Sequence, residues 1–297
     1  FRDYNFEGSG LNVLLDLLAY NTYYNSFYLN MVAAEAFLPT AQKRNSVVNL
    51  AKSLNYTPRS VTSASISGTA TLTLTSSPVS ITIPAYTSFT GSVDGTTYNF
   101  LNTSSVIVSP TNGVYSSAMS LREGRYINRR YTVNLNDSDQ RFLIPNKNID
   151  TSTLAVSVLN SSTDSTVRTF SKVASLVEVA STTRVYYIEE VEDEQYEIKF
   201  GDDVFGVALD AGNIVILEYL VSNGASANDI ETLTYADAIS GVTAINFVST
   251  DPATGGSDRE SINQIKFNAP KAYEAQNRVV TADDYKTLML QQATVDS

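Results

Sequence analysis

The stretch Ser67-Gly68-Thr69-Ala70-Thr71-Leu72-Thr73-Leu74-Thr75, followed by Ser80-Ile81-Thr82-Ile83 and stopped by Pro84, decides the fold class. Small or apolar residues alternate with hydroxyl residues, so successive side chains fall on opposite faces of a strand with one dry side. β-branched Thr and Ile suit such a pleated, half-buried surface, and Pro ends it because it cannot donate to a ladder. The same texture, rich in Thr, Ser, Val and Ile, runs from residue 59 to residue 256. Asp94-Gly95 and Asn112-Gly113 are hairpin dipeptides. Val185-Tyr186-Tyr187-Ile188, Tyr196-Glu197-Ile198-Lys199-Phe200 and Asn213-Ile214-Val215-Ile216-Leu217-Glu218-Tyr219 read as further strands. Turns recur at short intervals, which favours antiparallel, sandwich-like sheets over parallel βαβ units. No internal repeat of fixed period appears.

Toward the N-terminus the period changes. Residues 10–36 read as one long helix, with Ser9 as N-cap and Pro39 just beyond the end. Asn12, Asp16, Thr22, Ser26 and Asn30 form a polar stripe roughly 120° wide. Almost everything else is apolar, including Leu11, Leu14, Leu15, Leu18, Tyr24, Phe27 and Tyr28. Such a helix must be covered from several sides, either by this chain or by others. A second helix over 40–54, with Val47, Val48, Leu50, Ala51 and Leu54, is too short to do it alone. Toward the C-terminus, Ser257-Asp258-Arg259-Glu260 has capping-box spacing and predicts a helix that stops near Pro270. Thr281-Ala282-Asp283-Asp284 predicts another, and Gly255-Gly256 reads as a hinge or boundary.

The expected class is therefore α+β: N-terminal helices, mainly antiparallel β-rich modules and a helical C-terminal stub. The expected segments are 1–58 (helical), 59–135 (first β-rich module), 136–256 (second β-rich module) and 257–297 (helical start of a further domain). The 297 residues begin at Phe1 and end after a helix-like pattern, as expected of a piece of a longer chain.

Composition narrows the chemistry. The chain has 20 Lys and Arg against 31 Asp and Glu, a formal charge of −11. Phosphate backbones and anionic headgroups repel such a protein, so neither nucleic acid nor membrane is an expected partner. There is no Cys, hence no disulfide, thiolate nucleophile or cysteine metal site. There is no His, which removes the Ser–His–Asp triad and the commonest transition-metal ligand. No signal-peptide pattern and no apolar run of membrane-spanning length is present.

Carboxylate chemistry stays open, and Glu189, Glu190, Glu192, Asp193 and Glu194 are the densest acidic run. Glycoside hydrolysis needs two carboxyls held across a cleft, whereas neighbours in one hairpin loop point apart, so a solvated turn is the expectation. Asn136-Asp137-Ser138-Asp139 lacks the central Gly and the twelfth-position Glu of a calcium loop, and Asp202-Asp203 also reads as a turn. Arg122, Arg125, Arg129 and Arg130, interleaved with Tyr126 and Tyr131, suggest sheet-surface ion pairs or a protein contact. Gly201, Gly206, Gly212 and Gly224 have the wrong spacing for a phosphate loop. No catalytic residue, metal ligand or cofactor site is expected.

Three stretches together resemble the baseplate wedge subunits of T-even-like contractile-tailed phages, within the wider baseplate J-like family. The first is Phe6-Glu7-Gly8-Ser9-Gly10-Leu11-Asn12-Val13-Leu14-Leu15-Asp16-Leu17-Leu18-Ala19-Tyr20-Asn21, continued by Glu35-Ala36-Phe37-Leu38 and Lys43-Arg44. The second is Tyr196 through Gly206, then Gly212-Asn213 and Tyr219. The third is Gly255-Gly256-Ser257-Asp258-Arg259-Glu260-Ser261, Ala269-Pro270 and Asn277 through Tyr285. Asp203 replaces a usual Gly, and Asp210-Ala211-Gly212 a usual Pro-x-Gly, which loosens turn preferences only.

The resemblance implies a non-enzymatic virion protein of the tail baseplate, assembled in the host cytoplasm. Its implied partners are a second copy of itself, other wedge and hub proteins, and the sheath and tube initiator region. It implies a ring of wedges whose change of shape triggers sheath contraction. It makes Leu11, Leu14, Leu15, Leu18, Tyr24, Phe27 and Tyr28 the expected helix-bundle interface, and Gly201, Asp202, Phe205, Gly206, Gly212, Gly255 and Gly256 structural turns. A receptor-binding fibre module is the alternative, although the absence of Trp disfavours sugar stacking. A tail-spike glycosidase should show a β-helix period, which is missing.

Overall fold

A computed structural model describes residues 10–173 and 179–275. These fall into two compact units. One comprises the described residues up to Thr57 and those from Ser261 onward; the other spans Pro58–Glu260.

The helical unit contains α1 (Gly10–Glu35), α2 (Arg44–Ser53) and α3 (Ile262–Ala275). Its small core is Ala41, Val47, Val48, Ala51 and Tyr56 packed on Ile265 and Ala269. The turn after α1 is tied by the Thr40 hydroxyl, which donates to the Ala34 carbonyl at 2.7 Å. So α2 begins four residues later than its predicted start at residue 40. Its first turn is capped from α1: the Glu35 carboxylate accepts the N–H groups of Gln42 (2.8 Å) and Lys43 (3.2 Å). The predicted capping box at 257–260 is displaced by four residues. Ser261 and Gln264 form it instead, the Ser261 N–H donating to Gln264 Oε1 at 2.8 Å and the Gln264 N–H to Ser261 Oγ at 3.3 Å. Glu260 is buried before the helix and accepts the Arg59 N–H at 3.0 Å. Pro270 lies inside α3, not at its end. The helix predicted after Thr281 lies outside the described residues.

In the β unit, a seven-stranded sheet contains β1 (Ser65–Leu74), β3 (Ser88–Val93), β4 (Thr96–Leu101), β6 (Pro110–Thr111), β7 (Val114–Glu123), β15 (Thr234–Tyr235) and β16 (Val242–Ser249). Its order is β1-β16-β15-β3-β4-β7-β6, and β1 also pairs with β7. That extra pairing closes the sheet on itself as an antiparallel barrel, not the stacked sandwich expected, and leaves no long exposed edge. The alternation in β1 works as read: Ile66, Gly68, Ala70 and Leu72 point inward. Phe89, Phe100, Leu121 and Ile230 fill the interior. Beside this barrel sits a two-stranded sheet of β2 (Ile81–Ile83) and β5 (Val106–Val108).

A second seven-stranded sheet has the order β8-β14-β10-β11-β12-β13-β9: β8 is Arg125–Thr132, β9 Phe142–Ile144, β10 Ile149–Leu159, β11 Val167–Lys172, β12 Val185–Glu190, β13 Tyr196–Phe200 and β14 Ile214–Val221. Among the described residues, only β11 and β12 pair in parallel. Ile149, Val158, Ile198, Leu217 and Tyr219 form its core. The strands do not divide at the predicted boundary near residue 135. β7 leaves the barrel at Glu123, β8 opens the second sheet at Arg125, and β15 and β16 return to the barrel after β14. The second sheet is an insertion in the barrel, which a linear reading of strand texture could not reveal.

Candidate functional site

α1 is exposed along its whole length. It runs 26 residues without a buried position. Exposure of the expected interface residues ranges from 36% at Tyr24 to 61% at Leu18. Leu11, Leu14, Leu15, Phe27 and Tyr28 lie between these values, and Leu17, Tyr20, Tyr23 and Leu29 are exposed as well. At about 3.6 residues per turn, the Leu11/Leu14/Leu15/Leu18 group and the Tyr20/Tyr24/Tyr28/Phe27 group fall on roughly opposite sides of the helix. The aromatic side organises itself. The Tyr20 hydroxyl donates to that of Tyr24 at 3.0 Å, their rings lie 4.5 Å apart, and the rings of Tyr24 and Tyr28 follow at 6.2 Å. That i, i+4 tyrosine ladder was readable in the spacing and was missed. No helix among the described residues is long and apolar enough to cross a membrane.

The signature turns have plain geometric causes. Gly201 and Gly206 face each other so closely that a Cβ on Gly201 would lie 2.2 Å from the Gly206 carbonyl. Asp202 caps this loop, its Oδ1 accepting the N–H groups of Val204 (3.1 Å) and Phe205 (2.9 Å), which hold its carboxyl below the usual carboxylate range. Asp203 has φ +64° and its carboxylate accepts the Ala208 N–H at 2.9 Å. The half-exposed Phe205 ring and Tyr187, Phe200, Gly201 and Asp202 line a shallow recess of about 340 Å³. Gly212 (φ +84°) turns the chain into β14. Gly255 has φ +83°, but Gly256 is pinned: it exchanges two 2.9 Å hydrogen bonds with the Asn228 side chain. The predicted hinge at 255–256 is a fastened turn.

The acidic run is only partly a solvated turn. Glu192–Glu194 forms a short 3₁₀ turn, and Glu190 is buried. Glu189 pairs with Lys199 at 2.9 Å and Glu194 with Arg259 at 2.6 Å. Among the described residues no group of three or more carboxylates converges as a metal cage would. Asn136–Asp139 is a turn tied by its own side chains, as expected. Two of the arginines differ in setting: Arg122 lies 3.8 Å from the buried Asp150, and Arg129 donates at the surface to the Tyr131 hydroxyl at 2.7 Å.

A family model for the helical domain of gp6-like baseplate wedge proteins matches residues 1–56, the segment that carries α1 and α2. Over an alignment of 315 residues the chain is 34% identical to the baseplate wedge protein gp6 of Enterobacteria phage T4, covering 97% of this chain and 46% of that protein. Residues 1–56 thus match the helical domain of that family, and nearly the whole chain is similar to a baseplate wedge protein. The chain spans about half the length of that curated relative. A solved baseplate of the anti-feeding prophage aligns with 97% of this chain and 52% of the other, at 14% identity and a TM-score of 0.35, too loose a superposition to decide anything. The uncovered helix therefore lies within the part of the chain that the family's helical domain defines.

Proposed function

We propose that this chain is a non-enzymatic structural part of a phage tail baseplate wedge, and that α1 is its assembly element. The carrying observation is a 26-residue helix with no buried position and apolar groups on two opposite sides. A helix with apolar groups on two opposite sides has to be covered on both, so at least two neighbouring helices are required. Burying each leucine is worth about 1.5–3 kcal/mol, so several together make a strong association. The neighbours are helices of a second copy of this chain or of a smaller wedge protein. Around such bundles the wedges close a ring about the hub, in the virion's tail baseplate. The ring changes shape on host attachment and so triggers sheath contraction, with the β unit as a spacer within it. The 34% identity to a baseplate wedge protein supports this reading.

The test is Leu14→Asp with Leu18→Asp, read by sedimentation and by co-purification with the other wedge proteins. The doubly substituted chain should keep its β-sheet circular dichroism and lose assembly. Assembly at parental affinity, or loss of the β signal, would show that the helix does not serve this purpose.

A further inference from the structure

The polypeptide passes between the barrel and the second sheet at two places that lie side by side. The outgoing strand is Glu123-Gly124-Arg125 and the returning one Val221-Ser222-Asn223, and Arg125 pairs with Val221. A neck of two strands, with no more than backbone joining its halves, would bend. This one is fastened. The Glu123 carboxylate, wholly buried, accepts the Ser222 hydroxyl at 2.6 Å, the Asn223 N–H at 3.0 Å and the Asn223 side-chain amide at 2.7 Å. Ser222 Oγ also accepts the Gly224 N–H at 3.0 Å. Gly124, at φ +139°, donates to the Asn99 carbonyl of the barrel at 2.8 Å.

Contacts flank the neck on other sides. A second buried carboxylate, Asp150 of the inserted sheet, accepts the N–H of Ser63 from the segment that leads into the barrel, at 2.8 Å. The hydroxyls of Ser60 and Thr151 lie 2.8 Å apart. Arg259 reaches across to Asn148 at 2.9 Å and to Glu194 at 2.6 Å. Tyr86 stacks on Tyr126 with ring centroids 3.7 Å apart.

We infer that this seam is a latch, with Glu123 as its central group, that makes the barrel and the inserted sheet turn as one rigid body. Hydrogen bonds to a buried charge are directional, and opening any of them strands a desolvated carboxylate. An apolar seam of the same size would let the two halves slide; this one holds one orientation. The bland alternative is that the bonds merely satisfy Glu123 while packing sets the orientation. The inference concerns the mechanics of the chain itself and does not rest on the partners proposed for α1.

The chain has no cysteine, so two introduced ones label it uniquely. Thr97→Cys in β4 and Thr169→Cys in β11 are exposed positions on the two halves. With spin labels at both, pulsed dipolar spectroscopy on the whole chain should give one narrow distance distribution. Glu123→Gln and, separately, Ser222→Ala should lose that narrow peak in favour of a broad one while circular dichroism keeps the strand signal. A broad distribution in the parent overturns the inference, as do narrow distributions in both variants. Should Glu123→Gln lose the strand signal, Ser222→Ala decides alone, since it removes a hydroxyl and no charge.

Discussion

A methyl group on Gly201 would meet the backbone of Gly206 at 2.2 Å, whereas one on Gly212 would meet nothing within 4 Å. The two glycines of the signature are thus required for different reasons, the first by collision and the second by its left-handed φ. Gly201→Ala should cost about 1–3 kcal/mol, at the upper end because backbone cannot step aside as a side chain can. Gly212→Ala should cost about 1–2 kcal/mol from conformation alone. Urea denaturation of the two variants should rank them in that order. Acid acts on another residue. Glu35 is held below the usual carboxylate range by the Ser46 hydroxyl and the Gln42 N–H. A depressed folded pKa means its stabilising contribution is complete above the ordinary glutamate value and is lost as pH falls through the lowered one. Protection of the Gln42 and Lys43 amides, taken against their intrinsic exchange rates, should fall in that acid window, and Glu35→Gln should show the lower protection already at neutral pH. Alkali acts in the opposite sense on tyrosines. Burial, with the bond to Glu218 second, pushes the Tyr126 phenol up to about 12, and burial does the same to Tyr186. A raised folded pKa contributes stability below the ordinary tyrosine value, lost as pH climbs through about 12. Phenolate absorbance should show late-titrating tyrosines, one fewer in Tyr126→Phe.

Among elements, what the sequence made legible was whatever depends on near neighbours. The strand of residues 65–74 alternates as its residues say, and Asp94-Gly95 and Asn112-Gly113 occupy the left-handed positions of two hairpin turns, with φ between +50° and +79°. The long helix was legible for the same reason, and so was the breadth of its apolar surface. What could not be read was set by distant partners. Four residues separate the expected capping box from the real one because Glu260 is taken by Arg59, 201 positions away in sequence. The closing pair β1–β7 and the return of β15 and β16 are likewise choices among many strands with the same texture. The apolar excess of α1 was legible in its pattern, but its division into a leucine side and a tyrosine side needed the helix laid out. The cap of α3 offers a direct check. Ser261→Ala should cost about 0.5–2 kcal/mol and fray the first turn of α3, seen as faster amide exchange at Gln264.

At the scale of the whole molecule, the barrel depends on contacts between its earliest and latest strands. Phe89 lies at their meeting point, its ring 5.7 Å from Tyr235 and 5.9 Å from Phe247. Phe89→Ala should cost about 3–5 kcal/mol, and calorimetry should find the loss in the transition that reports the barrel. The order of the strands has a further consequence during synthesis. When β1 to β7 leave the ribosome, the barrel is an open sheet, because β15 and β16 have not yet been made. The whole inserted sheet is translated in the interval, so every strand it needs is present before β15 is made. Chains of this kind fold in the order that their contacts become available, and distant pairings come last. The insertion therefore folds first and brings Val221 back beside Arg125, which delivers the last strands to the unfinished barrel. The guest assembles before its host and guides the host's closure.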